Sequence, residues 1–152
     1  MLRNKILPAW QKGFTLIELL VVIGIIGILI TVVLVAINPG RQFASARDTQ
    51  RRADLYSITN ALYQYASEHD GSFPDPVENI VTGEFICIGT APCLDLTTDL
   101  VSDYIPVLPI DPDTTNCDTA DTCYGMTVDS TNRIVASAAS ELNLGTYITV
   151  ER

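Results

Sequence analysis

The sequence predicts an α+β protein: a long N-terminal α-helix, transmembrane in its first half and amphipathic in its second, packed on a small antiparallel β-sheet. Three observations carry this prediction. Residues Phe14 to Ile37 form an apolar run holding a single charge, Glu18. Leu55, Ile58, Leu62 and Tyr65 recur at the spacing of a helix with one apolar stripe. Near the C-terminus, Tyr124, Met126 and Val128 alternate with polar neighbours, as in a half-buried strand.

The apolar run comes first. As a helix from Phe14 to Ile37 it would be about 36 Å long at about 1.5 Å per residue, enough to cross a ~30 Å hydrocarbon core with some tilt. Arg3, Lys5 and Lys12 precede it and no acid lies among residues 1–13. The positive-inside rule therefore holds the N-terminus on the cytoplasmic side and sends the rest of the chain outward. A secretory signal has a shorter apolar core, followed by its small-residue cleavage site; here the small residue, Gly13, stands ahead of the core. Ala44-Ser45-Ala46 has the form of an ordinary signal cleavage site but lies well past the span. Glu18 is a carboxylate inside an apolar helix, at a cost of roughly 2.5 to 3.5 kcal/mol, and calls for a cationic partner at similar depth.

Gly24 and Gly27 are three apart rather than four, so they do not form the small-residue dimer motif. Asn38-Pro39-Gly40 is the expected break, a kink or a short unwound segment, because proline lacks a donor and glycine loosens the backbone. The helix is expected to resume from Gln42 to about Glu68 and bury its stripe. Arg41, Arg47, Arg51 and Arg52 cluster at its membrane-proximal end, placed to rest on lipid headgroups, to meet acidic surfaces of other subunits, or to be solvated. Asp70-Gly71 ends the helix with glycine in the left-handed position, and His69 caps its last carbonyls. Ser72 to Pro76 continues as extended loop.

The tail reads as strands at Tyr124–Asp129 and Arg133–Ala138, joined by the turn residues Ser130-Thr131-Asn132, with a further strand at Thr146–Glu151. Three or four strands packed on the amphipathic helix make the predicted α+β head. The segments are thus 1–13, a leader; 14–37, the membrane helix; 38–76, the amphipathic helix and turn; and 77–152, the rest of an extracytoplasmic head.

All four cysteines lie in the outward part, where disulfides persist. Three connectivities are open to them. The turn formers between Cys87 and Cys93, and between Cys117 and Cys123, favour two local loops. Zinc is the competing reading, but there is no CxxC and the one histidine, His69, is distant in sequence. Asp111, Asp113, Asn116, Asp118 and Asp121 crowd one loop with oxygen atoms, which suits either a calcium site or a solvated acidic turn; the EF-hand glycine and terminal glutamate are missing. No other cofactor is expected.

Charge excludes further classes. The net charge of −9 becomes −12 without Arg3, Lys5 and Lys12, and beyond Ala53 only Arg133 and Arg152 oppose the acids. Such a head is not drawn to nucleic acid by its bulk charge. Catalysis needs a nucleophile, a base and a charge stabiliser together, and the chain has no G-x-S-x-G, no HExxH and no second histidine. A membrane-tethered enzyme or binding domain is therefore the weaker of two function classes, and the chain is expected not to be an enzyme. A structural subunit is the stronger.

A short basic leader ending in Gly13, then Phe14-Thr15-Leu16-Ile17-Glu18 and a long apolar helix, resembles the type III signal of type IV pilins and type II secretion pseudopilins. The resemblance implies that a membrane-embedded prepilin peptidase cuts between Gly13 and Phe14 and N-methylates Phe14. It also implies that Glu18 of an incoming subunit pairs with the Phe14 amine of a subunit already in a filament. The partners so implied are identical and related pilin-like subunits, the peptidase, the inner-membrane assembly platform and the membrane itself. The chain would sit in the cytoplasmic membrane by a single pass until extracted into the filament.

Asp70-Gly71-Ser72-Phe73-Pro74 and the run Tyr104 to Pro112 are similar to pseudopilin segments, nearest the major pseudopilin of type II secretion. The Trp-Gly-Asn-Pro turn usual after the second of these is absent, and an acidic, cysteine-bracketed insert, Asp113 to Cys123, stands in its place. That family's calcium sites in late loops imply metal ligation at Asp111, Asp113, Asp118 and Asp121. The alternative within the class is a type IV pilus pilin serving adhesion, motility or DNA uptake.

Overall fold

A computed structural model of the chain describes residues 13–131 and 133–152. The leader cations and the turn residue Asn132 lie outside the described residues. The chain forms two compact units, divided between Pro39 and Gly40.

The first unit is dominated by helix α1, Leu16–Ile37. It starts two residues later than Phe14, where the apolar run begins, because Thr15 is an N-cap in extended conformation (φ −82°, ψ 150°). Its 22 residues make a rod about 33 Å long, apolar enough to cross a membrane. None of them is buried within the chain. The break falls where Asn38-Pro39-Gly40 predicts it: α1 stops at Ile37 and Asn38 is left-handed (φ 47°).

Helix α2 spans Pro39–Glu68 and so resumes three residues earlier than expected. Proline is the reason, since its fixed φ suits the first helical position and its missing N–H is an orphan there anyway. The Ala44-Ser45-Ala46 triplet is helical, with Ala44 buried. At the far end Asp70 and Gly71 both have positive φ (55° and 91°), and the Gly71 amide returns to the Ala66 carbonyl at 2.8 Å. His69 caps as predicted: Nδ1 lies 2.8 Å from the Tyr65 carbonyl and its ring stacks on that of Tyr65. The segment read as extended loop is not wholly so, for a one-turn helix α3 (Asp75–Glu78) follows Pro74, with Pro76 in its first turn.

The sheet has four antiparallel strands in the order β1 (Ile86–Cys87), β2 (Tyr124–Val128), β3 (Ile134–Ala139), β4 (Tyr147–Glu151). A second one-turn helix, α4 (Thr97–Leu100), lies between β1 and β2. One register row runs Ile86, Met126, Ala136, Val150, and the next Tyr124, Ala138, Ile148. The alanines of β3 sit between larger neighbours on this inward face and leave volume for the helix. Leu55, Ile58 and Leu62 fill that volume and are fully buried in one core with Tyr124, Met126, Ile134 and Ile88, while Tyr65 packs at its margin. Burying such side chains contributes about 1.5–3 kcal/mol each, so α2 is fastened to the sheet mainly by this stripe.

The disulfides are the two local ones, Cys87–Cys93 and Cys117–Cys123. Their loops lie side by side. The Thr90 amide donates to the carbonyls of Thr119 and Ala120 at 3.2 and 3.1 Å, and the Thr122 amide to Ile88 at 2.9 Å. Gly89 is required here, because a Cβ would come within 2.1 Å of the Ala120 carbonyl oxygen.

Candidate functional site

At the head of α1, Gly13 and Phe14 lie outside the helix, and Phe14 is 84 % exposed. The peptide bond between them is thus in open, non-helical backbone, the form in which a peptidase can take up a segment. Thr15 Oγ1 accepts from the Glu18 amide at 3.2 Å, and Glu18 Oε2 accepts from the Thr15 amide and hydroxyl at 3.4 Å each. This reciprocal pair is a capping box, two orphan donors satisfied by two side chains. Its T-x-x-E signal is plain in Thr15-Leu16-Ile17-Glu18, yet sequence reasoning weighed Glu18 only as a charge awaiting a cation.

The cap sets the relation of Glu18 to Phe14 in the same chain. They are not one helical turn apart on a common helix, since Phe14 precedes the cap. Both bonds of the carboxylate are long and fall on Oε2. Because a carboxylate has about four acceptor sites, Glu18 keeps capacity for a further donor. Behind it, Leu16 through Ile37 present apolar side chains on every face.

In the second unit the structure gathers ionisable groups that are far apart in the sequence. Arg51 is 5 % exposed. Its Nε and Nη2 donate to the two oxygens of Asp111 at 2.7 and 2.8 Å, a bidentate pair, and Nη1 donates to Asp48 at 2.8 Å and to Glu141 at 3.4 Å. Arg47 closes the cluster through Nε to Glu141 at 2.5 Å and a second bond from Nη2. Two members of the arginine cluster thus meet acids of their own chain rather than headgroups or other subunits. Partial burial pulls the Asp48 carboxyl up, but the Ser140 hydroxyl, the amides of Glu141 and Leu142, and Arg51 hold it at about 2. The Asp111 fork is the main reason that Arg51 is held above its ordinary value.

Beside the cluster, Tyr124 donates to Asp54 at 2.7 Å. Burial pushes Asp54 up, partly offset by that bond, and the same burial with Asp54 alongside pushes Tyr124 up. These groups are bound in two sets along α2, Arg51 and Arg47 with Asp48, Asp111 and Glu141, and Tyr124 with Asp54.

The four aspartates proposed as metal ligands are placed separately. Asp111 is 5 % exposed, holds Arg51 and also accepts from the Asp113 amide at 2.8 Å. Asp113 accepts from the Thr115 hydroxyl at 2.7 Å, Asp118 from the Ala120 amide at 2.7 Å, and Asp121 from the Cys123 amide at 2.9 Å. These are local turn bonds. Among the described residues, three metal-capable side chains converge at Cys87, Cys93 and Asp121, and the two sulfurs there are joined to each other.

A family model described as "Prokaryotic N-terminal methylation motif" matches residues 11–34. No curated protein and no solved structure matches the chain. The matched stretch contains the Gly13–Phe14 bond, the Thr15–Glu18 cap and most of α1. It supports a type IV pilin-like chain, a class of structural subunits rather than enzymes, made as substrates of a prepilin peptidase.

Proposed function

We propose that this protein is a structural subunit of a pilin-like filament. It inserts by α1 with its N-terminus in the cytoplasm and is cut between Gly13 and Phe14. It is then methylated at Phe14, and the assembly platform draws it from the membrane into a helical array. One observation carries the reading: α1 buries none of its 22 residues within the chain, whereas the head closes its own core. Its apolar surface is left for lipid or for copies of itself. Exchange of lipid for neighbouring helices is near neutral in hydrophobic terms, so close packing and a polar contact must decide it.

Glu18 supplies that polar contact. Removing the leader creates an ammonium at Phe14 in the neighbouring copy, and a loosely bonded carboxylate in an apolar helix gains most from meeting it. Within the class, we favour a pseudopilin of a type II secretion system, whose short filament acts as a piston. The Asp70–Pro74 turn and the Tyr104–Pro112 run support this choice. A type IV pilus pilin is the second reading, favoured by the disulfide-closed loop at Cys117–Cys123, where major pseudopilins carry a Trp-Gly-Asn-Pro turn.

The test is electron microscopy of the full chain produced with its peptidase and platform. Filaments are expected from the native chain, and Glu18→Ala should be processed normally yet form none. Filaments of Glu18→Ala equal in number to the native ones would refute the reading. Short envelope-bound filaments with loss of a secreted cargo on deletion indicate the piston, and long surface fibres the pilus.

A further inference from the structure

Adjacent arginines on α2 meet opposite fates. Arg51 is enclosed by three carboxylates, whereas Arg52 is exposed and makes no hydrogen bond or ion pair with the described residues. The cause is visible in Asp48, four residues before Arg52, the position from which an acid normally pairs along a helix. Asp48 Oδ1 accepts from Arg51 Nη1 at 2.8 Å and from the Glu141 amide at 2.9 Å. Its Oδ2 accepts from the Ser140 hydroxyl at 2.6 Å and from the Leu142 amide at 3.0 Å. Four donors fill the acceptor sites of one carboxylate. The remaining helical neighbours of Arg52 are Thr49, Leu55 and Tyr56, none of them acidic.

Arg52 borders a cleft of about 260 Å³ lined also by Ser45, Thr49, Asn143 and Tyr147, and by Asp48, whose oxygens are already taken by those four donors. Hydroxyl and amide side chains share this lining with Arg52, and Tyr147, which shares it too, is 69 % exposed. Arginine and tyrosine are the residue types that most often dominate the energy of a protein interface. A planar guanidinium with free donors selects a carboxylate or phosphate.

Charge complementarity names the occupant. Once Arg3, Lys5 and Lys12 are gone, the chain carries a net −12, and Arg47, Arg51 and Arg152 are already bonded inside it. Copies so acidic repel one another unless each offers an uncommitted cation to the acids of the next. We infer that the Arg52 cleft is an intersubunit site that receives an exposed carboxylate from a second copy of this chain. This rests on the filament reading above and adds the contact that sets head against head.

The test compares Arg52→Glu, Arg52→Lys and Arg133→Glu in full-length chains produced with the peptidase and platform. Arg133 is also exposed, so its replacement makes the same charge change elsewhere on the head. Arg52→Glu is expected to be cut at Gly13 as usual and to melt in detergent within about 2 °C of the native chain, since a surface change without internal contacts is near neutral. Its assembled fraction should fall roughly tenfold, the loss typical of a central charged contact. Arg52→Lys should fall less and Arg133→Glu less than about twofold, and an Asp→Lys or Glu→Lys change in the receiving acid should restore Arg52→Glu.

Native-like assembly of Arg52→Glu overturns the inference, as does an equal loss in Arg133→Glu. It is also overturned if Arg52→Glu assembles normally but loses binding to vesicles containing phosphatidylglycerol, which would give the cleft to lipid phosphate. Should the native chain form no filaments, or Glu18→Ala form them freely, the filament reading itself fails and this contact falls with it.

Discussion

Replacing Arg51 by methionine keeps the length of the side chain and removes the charge from the centre of the buried cluster. Asp111, 5 % exposed, then loses both bonds of its fork. Removing one partner of a buried ion pair costs about 3–5 kcal/mol, because the other charge is left without compensation. The surroundings place this case at the lower end. Asp48 retains the Ser140 hydroxyl and two amides, and Glu141 retains Arg47. With about 3 kcal/mol lost and roughly 4 °C per kcal/mol for a unit of this size, the head should melt about 12 °C lower. The assay is thermal unfolding of the full-length chain in detergent, followed by near-ultraviolet circular dichroism. The double variant Arg51→Met/Asp111→Leu should regain at least about half of the loss, since apolar groups of similar volume substitute well for a buried pair. A drop under about 3 °C, or a double variant no better than the single one, would show that Arg51 does not compensate a buried Asp111 charge.

Other expectations follow from the same bonds. The Asp48 carboxyl sits below its ordinary 3.8, at about 2. Its contribution to stability is therefore complete above about pH 4 and lost as the pH falls from there toward 2; Asp48→Asn should flatten the fall in melting temperature over that window, and an unchanged slope would contradict the assignment. Thr15→Ala removes the cap hydroxyl at a cost of about 1 kcal/mol, so hydrogen exchange at the Glu18 amide should quicken several-fold while cleavage at Gly13 continues. Unaltered exchange there would show that the capping box is not formed. For the acidic loop, the turn bonds of Asp113, Asp118 and Asp121 predict that millimolar calcium raises the melting temperature by less than about 1 °C; a rise of several degrees would show that these side chains leave their turns to gather around the ion.

The long elements of this fold were legible because each repeats one signal many times. The apolar run, the break at Asn38–Gly40 and the end of α2 at Glu68 lie where hydrophobicity, proline and glycine place them. Strands β2 to β4 lie within a residue or so of the alternating segments that announced them. Strand β1 has only two residues, Ile86 and Cys87, too few for an alternation to register, and it is held by pairing with Met126 and Gly125. The one-turn helices α3 and α4 are equally short and depend on tertiary packing of Val77 and Leu100. At the N-terminal site, Gly13, Phe14 and Glu18 were legible as a motif, and the structure adds that Glu18 shares a capping box with Thr15.

The arginines show why polar contacts are harder to read. Extended backwards, the stripe of α2 runs Ala44, Asp48, Arg51, Leu55, Ile58, Leu62 at alternating steps of four and three. Two charges on an otherwise apolar stripe signal a buried pair in need of distant partners. That signal was present, but it names neither Asp111, sixty residues away, nor Glu141, ninety away. Only the closure of the sheet brings those segments to α2.

Filament assembly as proposed requires that the bond between Gly13 and Phe14 be broken and leave an amine on Phe14. Intact-mass measurement with N-terminal sequencing, on the chain recovered from its own filament fraction, tests this most directly. The chain should begin at Phe14 and carry one methyl group on that nitrogen. A chain in the filament fraction that still holds Met1 to Gly13, or one that begins beyond Ala46, would contradict it.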